Sequence, residues 1–221
     1  MPGILGSLLF IALIAYLWGS IPSGYWMGKI LRGKDFDIRA YGSHKTGATN
    51  VLRTLGKFPA LIVLIVDLSK GIGPALLATS LASLHAAGWG PTVAGFFALI
   101  GHCYPVFSGF KGGRGVLTGA GALLIISPLS FLIAAITTFG TIFIWRYVSL
   151  GSITGCFTAI ICGIIFYCVT LTNPTFFAPV NVAQLLFLIV VPGLIILFHS
   201  DNIGRLLAGK ERKIGQKVSI S

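Results

Sequence analysis

Charged side chains are scarce in this sequence, and acidic ones are the scarcest. Only 10% of its 221 residues are charged, with five Asp and Glu against 16 Lys and Arg, while 55% are hydrophobic. Soluble domains carry about 25% charged residues, so a soluble globular enzyme and a disordered chain are excluded. The class that remains is an all-α integral membrane protein that crosses the bilayer several times.

Paired cysteines and the short motifs of metal or nucleophile sites are also missing. The four cysteines lie singly in apolar stretches with no C-x-x-C pair, which excludes a disulfide scaffold and a thiolate zinc site. No H-E-x-x-H, G-x-S-x-G or Walker-type G-K-[ST] segment occurs. We therefore expect no metal, no other cofactor and no covalent acyl-enzyme.

The net charge of +11 raises the question of a nucleic-acid partner. No RNA-binding, zinc-finger or basic-helix pattern accompanies the charge. The cytoplasmic loops of membrane proteins carry an excess of Lys and Arg, which explains the charge without nucleic acid. The membrane is therefore an expected partner, and nucleic acid is not.

Long apolar stretches predict where the chain crosses the bilayer, which takes about 20 helical residues. The first 28 residues carry no charge, so we expect a retained transmembrane helix and not a secretory signal, which would begin with basic residues. The 31 uncharged residues of 115–145 hold either one helix or two short ones that meet at Ser127-Pro128. The expected spans are Ile4–Tyr25, Pro59–Leu84, Thr92–Phe110, one or both halves of 115–145, and two within Tyr147–Phe198 around the polar break Thr170–Asn181.

The positions of the basic residues decide between one helix and two in 115–145. Fifteen of the 16 Lys and Arg fall in 29–57, 111–114, 146 and 205–217. A reversal at Ser127-Pro128 puts all fifteen on one side, whereas a single helix moves Arg146 and the basic tail to the other. The positive-inside rule therefore favours seven transmembrane helices, with the N-terminus outside and the C-terminus cytoplasmic.

Polar clusters gather on the same side, so a site is predicted at the boundary between membrane and cytoplasm. Asp67 and Lys70 can form a structural ion pair between helices or the wall of a site. His102 can bond a neighbouring helix or face that site. The loop 42–50 can cradle a phosphate with backbone N–H groups, or it is an ordinary polar loop.

Two further clusters leave the same choice open. Lys111-Gly-Gly-Arg114 can hold lipid headgroups or a substrate. His199, Asn202 and Arg205 lie on one helical face and can cap a helix or bind a ligand. The inventory of many cations, few carboxylates and many hydroxyl and glycine residues suits phosphate-bearing substrates.

Seven ordered motifs run through almost the whole chain. They are Gly19-Ser-Ile-Pro-Ser23-Gly, Asp37-Ile-Arg, Gly42-Ser with Gly47-Ala-Thr-Asn50 and Arg53, Asp67-x-x-Lys70-Gly, Gly101-His with Lys111-Gly-Gly-Arg114-Gly, Arg146-Tyr-Val-Ser-Leu-Gly-Ser152, and His199-x-x-Asn202-Ile-x-Arg205 with Glu211. With these motifs the chain resembles the bacterial acyl-phosphate-dependent glycerol-3-phosphate acyltransferases, integral membrane enzymes of phospholipid synthesis. Residues 1–221 are accordingly expected to form a single polytopic acyltransferase domain.

The resemblance implies that the 1-hydroxyl of glycerol-3-phosphate attacks an acyl phosphate directly, giving lysophosphatidate and phosphate. It implies a monomer in the bacterial inner membrane whose site faces the cytoplasm. It assigns Ser43, Gly47, Thr49 and Asn50 to the acyl phosphate, and Arg53, Lys111, Ser149, His199 and Asn202 to glycerol-3-phosphate. His199, Asn202, Ser149 and His102 are the expected catalytic residues, with Ser23, Asp67, Lys70, Gly112, Gly113 and Arg205 in support.

Some details of this resemblance stay open. The general base is His102, His199 or the substrate's own phosphate. The family loop usually reads Gly-Ser-Gly-Asn, whereas Gly42-Ser43 is followed here by His44-Lys45. In addition, Arg114 stands where lysine is usual.

Two other classes of function compete with the acyltransferase. A transporter or flippase for a phosphorylated solute would also need intramembrane charges, but it needs access from both sides, and no internal repeat is visible. A non-catalytic lipid scaffold would explain the basic turns but not Asp67, Lys70 and His102 within the spans. An acyl-CoA enzyme would show a His-x4-Asp motif, which the sequence lacks.

Overall fold

A computed structural model describes residues 2–81, 88–173 and 175–216. Within these ranges the regular structure is helical and no strand occurs, which confirms the predicted all-α class. The α-helices are α1 Pro2–Gly19, α2 Ser23–Arg32, α3 Ala48–Thr54, α4 Lys57–Ser80, α5 Trp89–Cys103, α6 Val116–Ile126, α7 Pro128–Trp145, α8 Val148–Thr172, α9 Val182–Leu197 and α10 Ser200–Leu207. Short 3-10 turns occupy Ile38–Ala40 and Val106–Ser108.

Proline and glycine positions set several of the helix boundaries. Pro22 lacks the N–H that would continue α1, so the chain breaks there and α2 begins at Ser23. The predicted span Ile4–Tyr25 lies within one candidate membrane span, Gly3–Arg32, but two helices share this stretch and not one. Pro128 opens α7 at a position where its fixed φ suits a helix start, and Ser127 separates it from α6.

The connections that carry the basic residues meet at one end of the bundle, here called the polar end. Arg39 Nη1 donates to Ser108 O at 2.7 Å, which joins the α2–α3 connection to the α5–α6 connection. Arg114 Nε donates to Phe198 O at 3.2 Å, which adds the α9–α10 connection. Segments far apart in sequence therefore share one polar surface.

The other end of the bundle shows that the chain reverses at Ser127-Pro128. Gln184 Nε2, in the first turn of α9, donates to Ile126 O at 2.9 Å, so α6 ends beside the start of α9. From there α7 returns to Arg146, whose carbonyl accepts from Ile214 N at 2.7 Å at the polar end. The predicted break in 115–145 is confirmed, with helices of 11 and 18 residues.

Small residues let the helices approach closely near the polar end. A Cβ at Gly19 of α1 would overlap the backbone of Ala98 in α5, and a Cβ at Gly101 would overlap Tyr16. Gly71 of α4 and Gly121 of α6 pack in the same way against each other's helix. This tight contact fixes α1, α4, α5 and α6 around the buried polar residues described below.

Among the residues that the structure describes, five stretches are long and apolar enough to cross a membrane. They are Gly3–Arg32, Lys57–Ser80, Trp89–Ser108, Pro128–Trp145 and Val148–Thr172. The pair α9 and α10, bent by 58°, gives a sixth. α6 is short: its 11 residues rise only about 16 Å. The predicted second and third spans, Pro59–Leu84 and Thr92–Phe110, have shifted ends, and residues 82–87 lie outside the described part.

Candidate active site

A buried ion pair lies where α2, α4 and α5 meet at the polar end. Asp67 and Lys70 are each only 1% exposed, and Lys70 Nζ is 2.5 Å from Asp67 Oδ1. Ser23 Oγ donates to the same oxygen at 2.6 Å and accepts from Lys70 Nζ at 3.2 Å. The predicted i,i+3 pairing is confirmed, and Ser23 is its third member.

His102 lies on the same buried cluster and supports the glycine turn that follows α5. Its Nδ1 is 3.7 Å from Asp67 Oδ1 and makes no hydrogen bond within the described residues. Gly113 N donates to His102 O and Gly112 N to Cys103 O, both at 3.1 Å. A Cβ at Gly113 would overlap the His102 imidazole, so this ring and the turn are packed as one unit.

The loop 42–50 is organised around the amide of Asn50. Asn50 Oδ1 accepts from Ser43 N at 2.9 Å, and Nδ2 donates to the carbonyls of Ile38, Tyr41 and Lys45 at 3.2, 3.1 and 2.8 Å. The residue is buried, so its amide bonds within the loop and shapes it. Ser43, Gly47 and Thr49 remain half-exposed on the loop, and Gly47 caps the start of α3.

His44 marks a position where this loop departs from its usual sequence. Its φ is 56°, a left-handed conformation that favours glycine. That conformation gives a physical reason for the glycine usual at this place in the family the chain resembles. Here the imidazole Nδ1 lies 2.9 Å from Arg39 O. Because a carbonyl only accepts, Nδ1 is the donor.

A cavity of about 510 Å³ opens between this loop and the turn after α5. Its lining includes the side chains or backbone of Arg39, His44, Lys45, Lys111 and Asp37 among others. Three cations therefore face one space, although Arg39 is paired with Asp37 at 2.8 Å. The guanidinium of Arg39 holds the pKa of the Asp37 carboxyl below its ordinary value. The remaining positive charge suits an anionic ligand.

Aromatic and small side chains form another part of the cavity lining. They are contributed by the end of α5 and the following turn, and include Cys103, Tyr104 and Phe110. Tyr104 is 47% and Phe110 58% exposed. The cavity thus combines cations with an apolar rim, which suits an anion that carries an apolar chain.

Glu211 is the residue that sequence reasoning left out of the site. It is 8% exposed, although it follows the last helix. Its Oε1 accepts from Ser149 Oγ at 3.0 Å and from Asn202 Nδ2 at 2.9 Å, and Oε2 accepts from Arg205 Nε at 2.7 Å. An acidic residue within a basic tail was the available signal. Its three partners could not be read from the sequence.

His199 and Asn202 each keep one polar atom free for a ligand. His199 Nδ1 lies 2.7 Å from Ile195 O, so it is the donor and Nε2 of the neutral ring is left as an acceptor. Asn202 Oδ1 is buried and makes no hydrogen bond among the described residues. A buried acceptor without a partner costs free energy unless water or a ligand supplies one.

Arg53 lies on the α3 side of the same group of residues. Its Nη2 donates to Arg212 O at 3.3 Å. Burial lowers the pKa of its guanidinium below the ordinary value, and the nearby Glu211 carboxylate opposes that shift. An arginine stays cationic at neutral pH even so. Arg53 therefore places a positive charge close to Glu211.

The second cation of the glycine turn reaches the last helix. Arg114 Nη2 is 2.7 Å from Asp201 Oδ2, and Arg205 Nη1 is 3.1 Å from the same oxygen. Arg114 also bonds the carbonyl of Phe198, the residue before His199. The turn that begins at Lys111 and the His199 helix end are thus joined directly.

The predicted site residues therefore fall into three groups at one end of the bundle. Ser149, Asn202 and Arg205 surround Glu211, with His199 and Arg53 nearby. Lys111, predicted to bind glycerol-3-phosphate, instead lines the cavity beside the loop of Ser43, Gly47 and Thr49. In the third group Ser23, Asp67 and Lys70 bond one another, and His102 packs beside them below the turn of Gly112 and Gly113.

Comparisons with known proteins agree with these motifs. A family model described as glycerol-3-phosphate acyltransferase matches residues 9–209. The chain is 42% identical over 205 residues to the glycerol-3-phosphate acyltransferase of Desulforamulus reducens, covering 92% of this chain and 93% of that protein. It is 43% identical over 206 residues to that of Aquifex aeolicus, covering 93% and 98%.

Solved structures show the same fold. The chain is similar to the crystal structure of PlsY, an integral membrane glycerol 3-phosphate acyltransferase, in its glycerol 3-phosphate form, with a TM-score of 0.81 and 39% identity. That match covers 95% of this chain and 96% of PlsY. The lysophosphatidic acid form of PlsY gives a TM-score of 0.78.

Proposed function

This chain belongs to the glycerol-3-phosphate acyltransferase family, and we propose that it moves a fatty acyl chain from acyl phosphate to the 1-hydroxyl of glycerol-3-phosphate. The products are lysophosphatidate and inorganic phosphate. As a multi-pass membrane acyltransferase it acts in phospholipid synthesis. We propose further that the transfer is direct, with no acyl-enzyme.

The observation that carries this proposal is the pair of free acceptors beside Arg53. Asn202 Oδ1 and His199 Nε2 can accept hydrogen bonds from the hydroxyls of glycerol-3-phosphate. The Arg53 guanidinium pairs with its phosphate. Ser149 and Glu211 hold Asn202 in place and close the site on the α8 side. Hydroxyl acceptors and a cation side by side match a phosphorylated alcohol.

The cavity between the loop 42–50 and the turn after α5 is the proposed site of the acyl phosphate. Lys45 and Lys111 line the cavity and face the phosphate. Ser43, Gly47 and Thr49 are half-exposed on the neighbouring loop and are not among the lining residues, so their part in binding the phosphate stays a prediction from the resemblance. Asn50 shapes this loop and does not touch the ligand. Tyr104 and Phe110 border the acyl chain where it leaves toward the lipid. Lys111 is therefore assigned to the donor or to both phosphates.

The chemistry needs alignment and charge stabilisation more than a protein nucleophile. The hydroxyl oxygen bonds to the acyl carbonyl carbon, and the bond from that carbon to the phosphate oxygen breaks. The phosphate leaves with the electron pair, and the cations of the cavity stabilise its charge. The hydroxyl proton passes to His199 Nε2 or to a phosphate oxygen. In the part of the chain that the structure describes, no Ser or Cys side chain bonds a histidine ring, which supports direct transfer.

His102 takes no part in proton transfer in this proposal. It is not among the residues that line the cavity, and its ring is packed beneath Gly113. We assign it, with Asp67, Lys70 and Ser23, to support of the turn that carries Lys111. This narrows the candidate bases to His199 and the substrate.

The proposed topology has seven passes, with the N-terminus outside and the C-terminus in the cytoplasm. Alternation of the helices between the two ends of the bundle supports it, as does the gathering of basic connections at the polar end. In a bacterium the site then faces the cytoplasm from the inner membrane. The protein is proposed to act as a monomer, because one chain supplies the residues of both half-sites.

The test is transfer by purified protein in detergent. Labelled glycerol-3-phosphate is offered with palmitoyl phosphate or with palmitoyl-CoA, and lipid product is measured. Product with palmitoyl phosphate alone is expected, and an Asn202→Ala variant serves as the matched control with reduced rate. Product with the CoA ester alone would overturn the choice of donor. Uptake of labelled solute into sealed vesicles without lipid product would favour a transporter instead.

A further inference from the structure

The residues after α10 run back across the polar end as a strap, defined here as Gly209–Gln216. Ile214 N donates to Arg146 O at 2.7 Å, and Lys213 Nζ lies 5.6 Å from the centre of the Tyr147 ring. The backbone hydrogen bond of Ile214 fixes the strap to the connection between α7 and α8. Most of the strap lies beyond residues 9–209, which the family model matches.

Arg212 joins this strap to the loop 42–50. Its Nη1 donates to Gly42 O at 2.8 Å across a separation of 170 residues. Gly42 has φ 62°, and a Cβ there would overlap the amide oxygen of Asn50. The same amide oxygen accepts from Ser43 N, so the Gly42 peptide lies where the loop is built most tightly.

Neighbouring residues of the strap reach both halves of the proposed site. Glu211 bonds Ser149 and Asn202 on the glycerol-3-phosphate side. Arg212 bonds Gly42 on the acyl-phosphate side, and its own carbonyl accepts from Arg53 Nη2 at 3.3 Å. One peptide segment thus holds the two half-sites at a fixed separation.

We infer that Arg212 is a positioning residue for the acyl-phosphate loop and that, through the strap, it sets the distance between donor and acceptor. The inference rests on the proposed function, because it uses the assignment of the loop to the donor. Any side-chain substitution at 212 keeps the carbonyl that bonds Arg53. Replacing the side chain with alanine removes the contact with Gly42 and leaves the bond to Arg53 in place.

The first experiment separates the two substrates kinetically. Arg212→Ala is expected to raise the KM for palmitoyl phosphate roughly tenfold, the loss of about one hydrogen bond to a charged group, with the KM for glycerol-3-phosphate nearly unchanged. Arg212→Lys is expected to recover part of the loss, since it keeps the charge but not the guanidinium fork. Lys213→Ala is the matched control, because it removes a neighbouring cation that contacts Tyr147 and not the loop.

The second experiment does not depend on activity. Hydrogen exchange of the amides in 42–50 is compared for wild type, Arg212→Ala and Lys213→Ala. Faster exchange in this loop for Arg212→Ala alone is expected. Equal exchange in all three proteins, or a rise in KM of equal size for both substrates, would overturn the role of Arg212. If the wild type gives no product from palmitoyl phosphate, the proposed function fails while the exchange result still decides whether Arg212 orders the loop.

Discussion

Two buried carboxylates organise the polar end, and they differ in what they leave free. Asp67 bonds Lys70 and Ser23 in a cluster that is almost closed to solvent. Glu211 bonds three partners, Ser149, Asn202 and Arg205, and Asn202 Oδ1 beside it makes no hydrogen bond among the described residues. The first carboxylate completes a structural unit, whereas the second prepares groups for a ligand. Each cluster has one buried atom without a hydrogen bond among the described residues, His102 Nδ1 and Asn202 Oδ1. The His102 ring is packed against Gly113, whereas Asn202 lies near the cation of Arg53, so the surroundings of the unpaired atom, more than burial, mark a binding site.

The largest effect is expected from removing one member of the closed pair. Asp67→Ala leaves the Lys70 ammonium buried without its counter-charge and is expected to cost about 3–5 kcal/mol of stability. Thermal unfolding in detergent measures the loss. The double variant Asp67→Leu/Lys70→Met is expected to recover most of it, because an apolar pair of similar size can replace a buried ion pair. If the double variant is fully stable but inactive, Asp67 and Lys70 are part of the binding site and not only structural.

The open carboxylate should affect catalysis more than folding. Glu211→Ala removes the acceptor of Ser149 and Asn202, and a displacement of about 1 Å in such groups is expected to lower kcat/KM for glycerol-3-phosphate about a hundredfold. Steady-state kinetics with varied acceptor measures it. Lys210→Ala changes the exposed neighbour of Glu211 in the strap. It is the control that should keep normal kinetics. Equal loss in both variants would contradict the assignment.

A variant of His199, which lies near Glu211, tests whether this residue only binds glycerol-3-phosphate or also takes the hydroxyl proton. His199→Ala is expected to lower kcat/KM about tenfold by losing a hydrogen bond to glycerol-3-phosphate, and saturating glycerol-3-phosphate should restore part of the rate. If His199 is the base, the rate stays low at saturation and the pH profile of kcat loses one limb. A wild-type rate would remove His199 from the site.

The link between the closed cluster and the cavity can be tested through Gly113. Gly113→Ala puts a methyl group into the His102 ring and is expected to cost about 1–2 kcal/mol of stability while raising the KM for acyl phosphate through Lys111. Adding His102→Ala makes room for the methyl group and should reverse part of both effects. Two independent, additive losses would contradict packing of this ring and turn as one unit.

The smallest effect is expected from the half-exposed pair of Asp37 and Arg39. Arg39 lowers the pKa of Asp37 in the folded state. The ion pair therefore contributes stability at pH values above the ordinary pKa of Asp, and this stability is lost as the pH falls through the pKa of the folded state. Asp37→Asn should cost less than about 1 kcal/mol at pH 7. Unfolding of wild type and variant should differ at pH 7 and converge below pH ~3. A difference that persists in acid would show that the charge is not its cause.

Much of the fold could be predicted because the bilayer imposes simple rules. Apolar length gave the helices, and the distribution of Lys and Arg indicated the reversal at Ser127-Pro128, which the contact of Gln184 with Ile126 confirms. The break between α1 and α2 was missed, because uncharged residues on both sides of Pro22 hide it from a test of hydropathy.

The sequence predicted which residues form the candidate site better than it predicted what each of them contacts. The pairing of Asp67 with Lys70 follows from i,i+3 spacing on one helix. The bonds of Glu211 join residues 62 and 9 positions apart through tertiary packing that no local pattern encodes. For the same reason the sequence could not show that the Asn50 amide is used within its own loop.

The shortness of α6 has a consequence for where the reaction takes place. Every residue of this helix is buried or half-buried, so protein surrounds it, and its rise of about 16 Å covers roughly half of a 30 Å hydrocarbon layer. In the proposed topology, this short helix sets the turn of Lys111–Gly115 below the cytoplasmic edge of the hydrocarbon layer, at the level of the carboxyl end of a fatty acyl chain. A water-soluble alcohol can descend to this level while the acyl tail stays among the lipids. The tail then avoids an extraction cost of about 0.8 kcal/mol for each methylene group.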